Sequence, residues 1–222
     1  MLGSGRREHL DTARADELYR RHARFYDATR RFCLPDRRAA VEWLGVREGD
    51  RVIDFACGTG LNVPHLRRAG PARITGVDCS GAMLERAARK FADVGLVRGD
   101  AARVTLSESA ERILCTYGLS AMDRWEDALR NMRRHLTPDG ALVVLDFHPL
   151  RGPVAPFDPI LRWWLGRFGV RAETDFERAL RELFDDVEVR VRPLGYVTLV
   201  RSGRPKPSSE NRAGSALRPA RA

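Results

Sequence analysis

The chain has no apolar run long enough to span a bilayer, so any membrane contact is expected to be peripheral. It shows no signal-peptide hydrophobic region, and on that ground it is read as cytoplasmic. Its four cysteines, Cys33, Cys57, Cys79 and Cys115, lie far apart, with no C-x-x-C pair and no histidine at metal-ligand spacing. They are read as reduced thiols, with no metal. No repeat occurs beyond a strand–helix unit. One-signed charge is also scarcer than the total suggests. The formal net charge is +9, but residues 201–222 hold six basic side chains and one acid, a net of +5, which leaves 9 − 5 = +4 for the body. That value requires no nucleic-acid surface, whereas an anionic membrane face or an acidic substrate is compatible with it.

What is present starts at Arg51-Val52-Ile53-Asp54-Phe55-Ala56-Cys57-Gly58-Thr59-Gly60. An apolar run reaches an acid, breaks into a turn of small residues and resumes with helical periodicity from about Asn62 to Arg68. Strand, glycine loop and helix in this order let a ligand approach the backbone and aim helix N–H groups at it. Further units follow: a strand Arg73–Asp78, a helix Ser80–Phe91 with Ser80 as N-cap, strands Gly95–Arg98 and Arg112–Thr116, a helix Trp125–Leu136, a turn at Thr137–Gly140 and a strand Ala141–Asp146. His148–Pro159 reads as a loop, Thr174–Leu183 as a helix, and Val187–Val191 with Gly195–Arg201 as a hairpin at the sheet edge. At 222 residues, about 70% of the unfolded surface can be buried, so a core needs no staple. The expected organisation is a flexible segment 1–14, cap helices within 15–44 (about Ala15–Phe32 and Asp36–Leu44), one domain over 15–201, and a disordered basic tail over 202–222. The fold class is α/β: a mostly parallel sheet with an antiparallel C-terminal hairpin and helices on both faces.

Ligands of such sheets bind beyond the carboxyl ends of the strands. Asp54, Asp78, Asp100, Thr116 and Asp146 each end a strand or follow one directly. A dinucleotide loop wants G-x-G-x-x-G, and the third glycine is missing after Gly60. Asp54 before the turn would repel a pyrophosphate and suits ammonium and sulfonium charge. Asp78, 18 residues past Gly60, stands where βαβ units hold ribose hydroxyls. Met83 offers adenine a polarizable face, and Asp100 an acceptor for its amino group.

D-x-A-C-G-T-G, V-D-x-S-x-x-M-L, G-D-A and L-x-P-D-G-A-L-V-V-L-D-F together resemble the class I S-adenosylmethionine-dependent methyltransferases, over about residues 19–201. The resemblance implies a Rossmann-like methyltransferase fold with a seven-stranded sheet, and S-adenosyl-L-methionine as cofactor. It implies that Asp54, Gly58 and Gly60 line the methionine moiety, with Ala56, where the family usually has glycine, also in the cofactor-binding set. Asp78 would meet the ribose, Met83, Asp100 and Ala101 the adenine, and Thr116 with Tyr117 the methyl group; Cys79 completes the expected cofactor-binding set.

For the acceptor, the run from Tyr19 to Phe32, Tyr117–Trp125 and Trp163–Phe168 resemble bacterial lipid head-group N-methyltransferases of the phosphatidylethanolamine and betaine-lipid types. Quinone C-methyltransferases share the pair Tyr26-Asp27, so C- or O-methylation of a quinone or other small metabolite is the alternative. The expected acid–base residues are Tyr26, Tyr117 and His148, with Asp146 behind them and His22 and His65 lower still. Arg162, Trp163, Trp164, Arg167 and Phe168 form an aromatic-basic cluster suited either to an anionic membrane interface or to a lid. Oligomeric state has no sequence signal.

Overall fold

Successive side chains of a strand point to opposite faces, and the central strands here feed two apolar clusters accordingly. In β1 (Arg51–Phe55), Ile53 and Phe55 enter one cluster and Val52 the other. In β4 (Ala110–Thr116), Ile113 and Cys115 oppose Leu114, and in β5 (Leu136–Phe147), Leu142 and Val144 oppose Val143 and Leu145. A sheet buried on both sides needs such near-continuous apolar runs, and each fully buried aliphatic side chain contributes about 1.5–3 kcal/mol. The structure is a computed structural model and describes residues 36–150, 152–166, 170–171, 175–191 and 196–206.

Seven strands form one sheet in the order β3-β2-β1-β4-β5-β7-β6. The remaining four are β2 (Arg73–Asp78), β3 (Gly95–Arg98), β6 (Phe184–Val191) and β7 (Val197–Pro205). β3, β2, β1, β4 and β5 run parallel; β7 is antiparallel to both β5 and β6. The chain thus winds outward from β1 through β2 to β3, then returns to the other side of β1 as β4. The reversal puts a crevice between the carboxyl ends of β1 and β4. The C-terminal hairpin is present as expected, but its second strand inserts beside β5, so β6 forms the edge.

The described helices are α1 (Arg37–Leu44), α2 (Val63–Ala69), α3 (Gly81–Lys90), α4 (Trp125–Arg134), α5 (Asp158–Gly166) and α6 (Phe176–Leu183). Ala40, Val41 and Leu44 of α1 and Val63 and Leu66 of α2 cover one face of the sheet. Ala128, Leu129 and Met132 of α4 and Phe176 and Leu180 of α6 cover the other. Arg112 ties the end of α1 to the sheet: Nε donates to Gly45 O at 3.0 Å and lies 3.3 Å from Asp50 Oδ2.

Three expectations change. The turn Thr137–Gly140 lies within β5, because Leu136 already pairs with Ala110 and the register slips before Arg112 pairs with Ala141. A slip of this kind accommodates extra residues without ending the strand. His148–Pro159 is not all loop: residues Gly152–Phe157 form a 3-10 turn and α5 starts at Asp158. Pro159 falls in the first turn of α5, where its missing N–H costs nothing. The domain boundary also moves. Ser202 and Gly203 pair with Leu142 and Ala141, and β7 runs on to Pro205, beyond the expected limit at Arg201. Residues 1–35, including Tyr26, His22 and the first cap helix, lie outside the described residues, as do Arg167, Phe168 and the tail from 207. The second cap helix is present as α1.

Candidate cofactor and acceptor site

Two residues at the β1/β4 crevice adopt a left-handed backbone that non-glycine residues rarely take: Ala56 at φ 54° and Tyr117 at φ 56°. Each follows directly on one of the two strands that border the crevice. Such strain persists where surrounding contacts over-determine it, and functional sites are where it gathers. Gly118 must be glycine for a different, steric reason: its φ is −118°, but a Cβ there would lie 2.5 Å from the Ala56 Cβ. Both atoms are fixed by backbone, so Gly118→Ala is expected to cost about 1–3 kcal/mol, read as a lowered urea midpoint with an unchanged slope. By contrast, a Cβ at Gly58, φ 54°, would meet nothing within 4 Å, so the turn is open on that side.

Asp54 is 1% exposed. Asn62 Nδ2 donates to its two carboxylate oxygens at 2.9 and 3.0 Å and to Thr116 Oγ1 at 3.0 Å. Arg37, from α1, closes the cluster by donating to Asn62 Oδ1 at 3.0 Å and to Thr116 Oγ1. Burial pushes the Asp54 carboxyl up to about 7, against the Asn62 hydrogen bonds and the Arg37 charge, which favour its ionised form. Asp78 holds the glycine loop. Its Oδ2 accepts from Gly58 N at 2.8 Å and its Oδ1 from Ser80 N at 2.9 Å. Ser80 caps α3 by accepting from Met83 N at 3.4 Å, as the sequence leads one to expect. Asp100 accepts from Ala102 N at 2.9 Å, which shapes the turn after β3.

The expected residues thus share the carboxyl edge of the sheet. Asp54, Ala56, Gly58, Gly60 and Thr116 border the crevice. Asp78, Cys79, Asp100 and Ala101 continue along the edge beyond β2 and β3. Met83 is 2% exposed, so its side chain packs inward from α3 instead of standing open to solvent. Cys57, Cys79 and Cys115 are free thiols. Burial and the neighbouring carboxylates push Cys57 and Cys115 well above the usual thiol range, which keeps them protonated. No cluster of three metal-ligating side chains occurs among the described residues.

Beyond β4 and β5 the edge turns aromatic. The Tyr117 and Phe147 rings lie 5.3 Å apart, and Phe147 stacks on Tyr196 at 6.0 Å and 18°. Leu161 and Leu165 of α5 and Val170 pack against this group. Burial raises the Tyr117 hydroxyl far above its ordinary value, so it stays protonated and serves as a donor, not a base. Asp146, fully buried, accepts from Ser120 Oγ at 2.5 Å, Ser120 N at 3.1 Å and Phe147 N at 2.8 Å. Its carboxylate fixes the 3-10 turn Leu119–Ala121 and is not turned toward the site. His148 is half-buried and pairs Nδ1 with Pro149 O at 2.7 Å. A carbonyl only accepts, so Nδ1 donates and Nε2 of the neutral ring remains an acceptor.

Arg37, Asn62 and Ser120 had no part in the sequence reading of the site. Asn62 carried a signal, standing eight residues after Asp54 on the first turn beyond the glycine loop. Arg37 carried none, because 79 residues separate it from Thr116 and only the fold brings them together.

The profile of the methyltransferase domain family matches residues 52–140. A demethylmenaquinone methyltransferase of Tropheryma whipplei strain Twist is 34% identical over 175 residues, covering 74% of this chain and 72% of that protein. The chain belongs to the class I S-adenosylmethionine-dependent methyltransferases. The ubiquinone/menaquinone biosynthesis C-methyltransferase of Paracoccus denitrificans is 35% identical over 139 residues, 59% of this chain. There the chain spans about half the length of the relative, 53%. Among solved structures, an S-adenosylmethionine-dependent methyltransferase of Thermotoga maritima superposes with a TM-score of 0.68 at 18% identity, over 86% of this chain and 99% of that one. That likeness is one of fold, and it matches the seven-stranded Rossmann-like sheet.

The side chains of this methyltransferase fit the family's cofactor. Asp54 is a buried carboxylate whose ionised form needs a cation, and the cofactor carries an ammonium group. The open side of Gly58 leaves room beside it. Asp78 has both oxygens oriented by backbone N–H groups, and a carboxylate oxygen accepts more than one hydrogen bond, which suits a ribose diol. Asp54, Ala56, Gly58 and Gly60 would hold the methionine portion, Asp78 and Cys79 the ribose, and Asp100 with Ala101 the base.

Proposed function

We propose that the protein methylates a ring carbon of an apolar, quinone-type acceptor in its reduced, hydroxylated form. The observation that carries this reading is the aromatic wall Tyr117–Phe147–Tyr196, which continues the cofactor edge beyond Thr116. Phe147 is 2% exposed and packs against Leu165, so a flat acceptor ring would meet the half-buried Tyr117 and Tyr196 at the rim of this group, each aromatic pair contributing about 0.5–1.5 kcal/mol beyond its buried area. Two relatives with long alignments carry quinone-methylating names, which supports the same acceptor class. Bound S-adenosylmethionine supplies an already activated methyl, so the protein's part is alignment, exclusion of water and handling of one proton. Thr116 and Tyr117 orient the donor side. His148 Nε2 suits an acceptor hydroxyl, whose deprotonation makes the ring carbon nucleophilic.

A second reading, N-methylation of an amino-lipid head group, draws on one observation. The Arg37 guanidinium lies 5.1 Å over the Tyr117 ring, so this wall accepts a cation on its face. The deciding assay offers labelled cofactor with a demethylated naphthoquinol, phosphatidylethanolamine or diacylglyceryl-homoserine in neutral detergent micelles. Label is expected in the naphthoquinol. Label confined to either amino-lipid overturns the quinone reading in favour of the second.

A further inference from the structure

Five large apolar side chains are exposed among the described residues, and four of them fall within eight positions. Phe157 is 62% exposed, Ile160 64%, Trp163 66% and Trp164 43%. In contrast to an ordinary surface helix, α5 is apolar on two sides. Leu161 and Leu165 face inward onto Phe147, Tyr117 and Tyr196. Phe157, Ile160, Trp163 and Trp164 recur at spacings of three and four on the outer side. Clustered exposed apolar area of this kind marks a contact surface, unlike scattered single residues.

We propose that the outer face of Phe157–Trp164 is a docking surface for an anionic lipid membrane. Tryptophan dominates the face, and indole rings favour the boundary between head groups and acyl chains. The charge of the sequence segment fits the same partner. Residues 148–168 contain Arg151, Arg162 and Arg167 against the single acid Asp158, within a chain of net charge +9. The Arg162 side chain is 47% exposed and pairs with Asp158, Nε to Oδ2 at 3.8 Å. Nine residues of helix are too few to cross a bilayer, and no described helix is long and apolar enough to do so. The segment therefore lies in the interface plane. Its position supplies the purpose: α5 has one side on the aromatic wall and the other toward lipid, so a membrane-borne acceptor reaches the wall at the docked edge. That last step rests on the quinone-type reading above; the docking itself does not.

The test is flotation of the full-length protein with acceptor-free vesicles, either pure phosphatidylcholine or phosphatidylcholine with 30% phosphatidylglycerol. The 30% figure is roughly the anionic content that generates an attractive surface potential. Binding to the anionic vesicles, weakened by salt and reduced tenfold or more in Ile160→Ser/Trp163→Ser, is the expected result. The paired controls measure the variant's S-adenosylmethionine affinity and melting temperature. Unchanged values show that the fold and cofactor site survive, whatever the acceptor proves to be. Flotation absent in the unaltered protein, or undiminished in the variant, overturns the proposal. So does a concentration-dependent dimer that the substitutions abolish without vesicle binding, because the face would then join two copies of the chain.

Discussion

Asp54→Asn is expected to weaken S-adenosylmethionine binding by roughly 10–100-fold, the worth of a hydrogen bond to a charged group at about 1.5–3 kcal/mol. It should also abolish the pH dependence of that binding. The free protein holds Asp54 at a carboxyl value of about 7, chiefly because burial disfavours the anion. An ammonium ligand prefers the anion and draws the value down on binding. Affinity of the unaltered protein is therefore highest between pH 7 and the point, about 7.7–8.0, at which an α-amino group of the ligand loses its own proton. Below pH 7, affinity falls by up to tenfold per pH unit, as the ligand must first displace a proton. Isothermal titration at pH 6, 7 and 8 reads this directly, and equal affinities across the series would mean that Asp54 does not face the cationic end of the ligand.

The same substitution separates binding from folding. A native carboxyl raised from 3.8 to about 7 means that the folded state holds more protons than the unfolded state between those values. Stability then falls as pH rises from about 4 to 7, by at most about 4 kcal/mol, and stays level above. Asparagine removes that penalty while keeping an oxygen for the Asn62 amide. The melting temperature of Asp54→Asn at pH 8 should thus be unchanged or higher, even as binding is lost. A large fall would make the carboxylate a structural element.

Much of this arrangement could be read from the sequence, and the reason is local. Strand ends, the glycine turn and the Ser80 cap are all set within a few residues, and their chemistry shows in residue type. The run Val52, Ile53 and Phe55, broken only by Asp54, announces a strand buried on both faces. The parts that escaped depend on distance or compensation. Arg37 reaches Thr116 across 79 positions, and no periodicity announces such a contact. Thr137-Pro138-Asp139-Gly140 carries the residues of a turn, yet strand pairing on both sides of a slip absorbs it. Pro149, Pro153, Pro156 and Pro159 suggested a loop, but 3-10 turns and first helical turns tolerate proline, so α5 begins among them. The strained backbone at Tyr117 was invisible as well, because tyrosine gives no hint of a left-handed conformation.

The acid ending β2 permits the other large effect. Asp78→Ala should lower cofactor affinity by 100-fold or more and cost about 1–3 kcal/mol of stability, because two backbone donors lose their acceptor. Gly58 N and Ser80 N each donate to a different oxygen of this carboxylate. One carboxylate thus joins the glycine loop after β1 to the first turn of α3 after β2, the two segments between which a nucleoside would lie. Alanine releases both at once, so the loop loses its shape as the ribose loses its partner. Asp78→Asn keeps an oxygen for one donor and sets an amide nitrogen against the other. It should fall between the two in both melting temperature and affinity. Affinity for adenosine alone separates the roles: an acid that only braces the loop would leave adenosine and the full cofactor weakened by very different factors, whereas an acid that also binds the ribose weakens both alike. Retention of affinity and melting temperature within experimental error in Asp78→Ala would reduce Asp78 to a solvated loop residue and remove the ribose assignment with it.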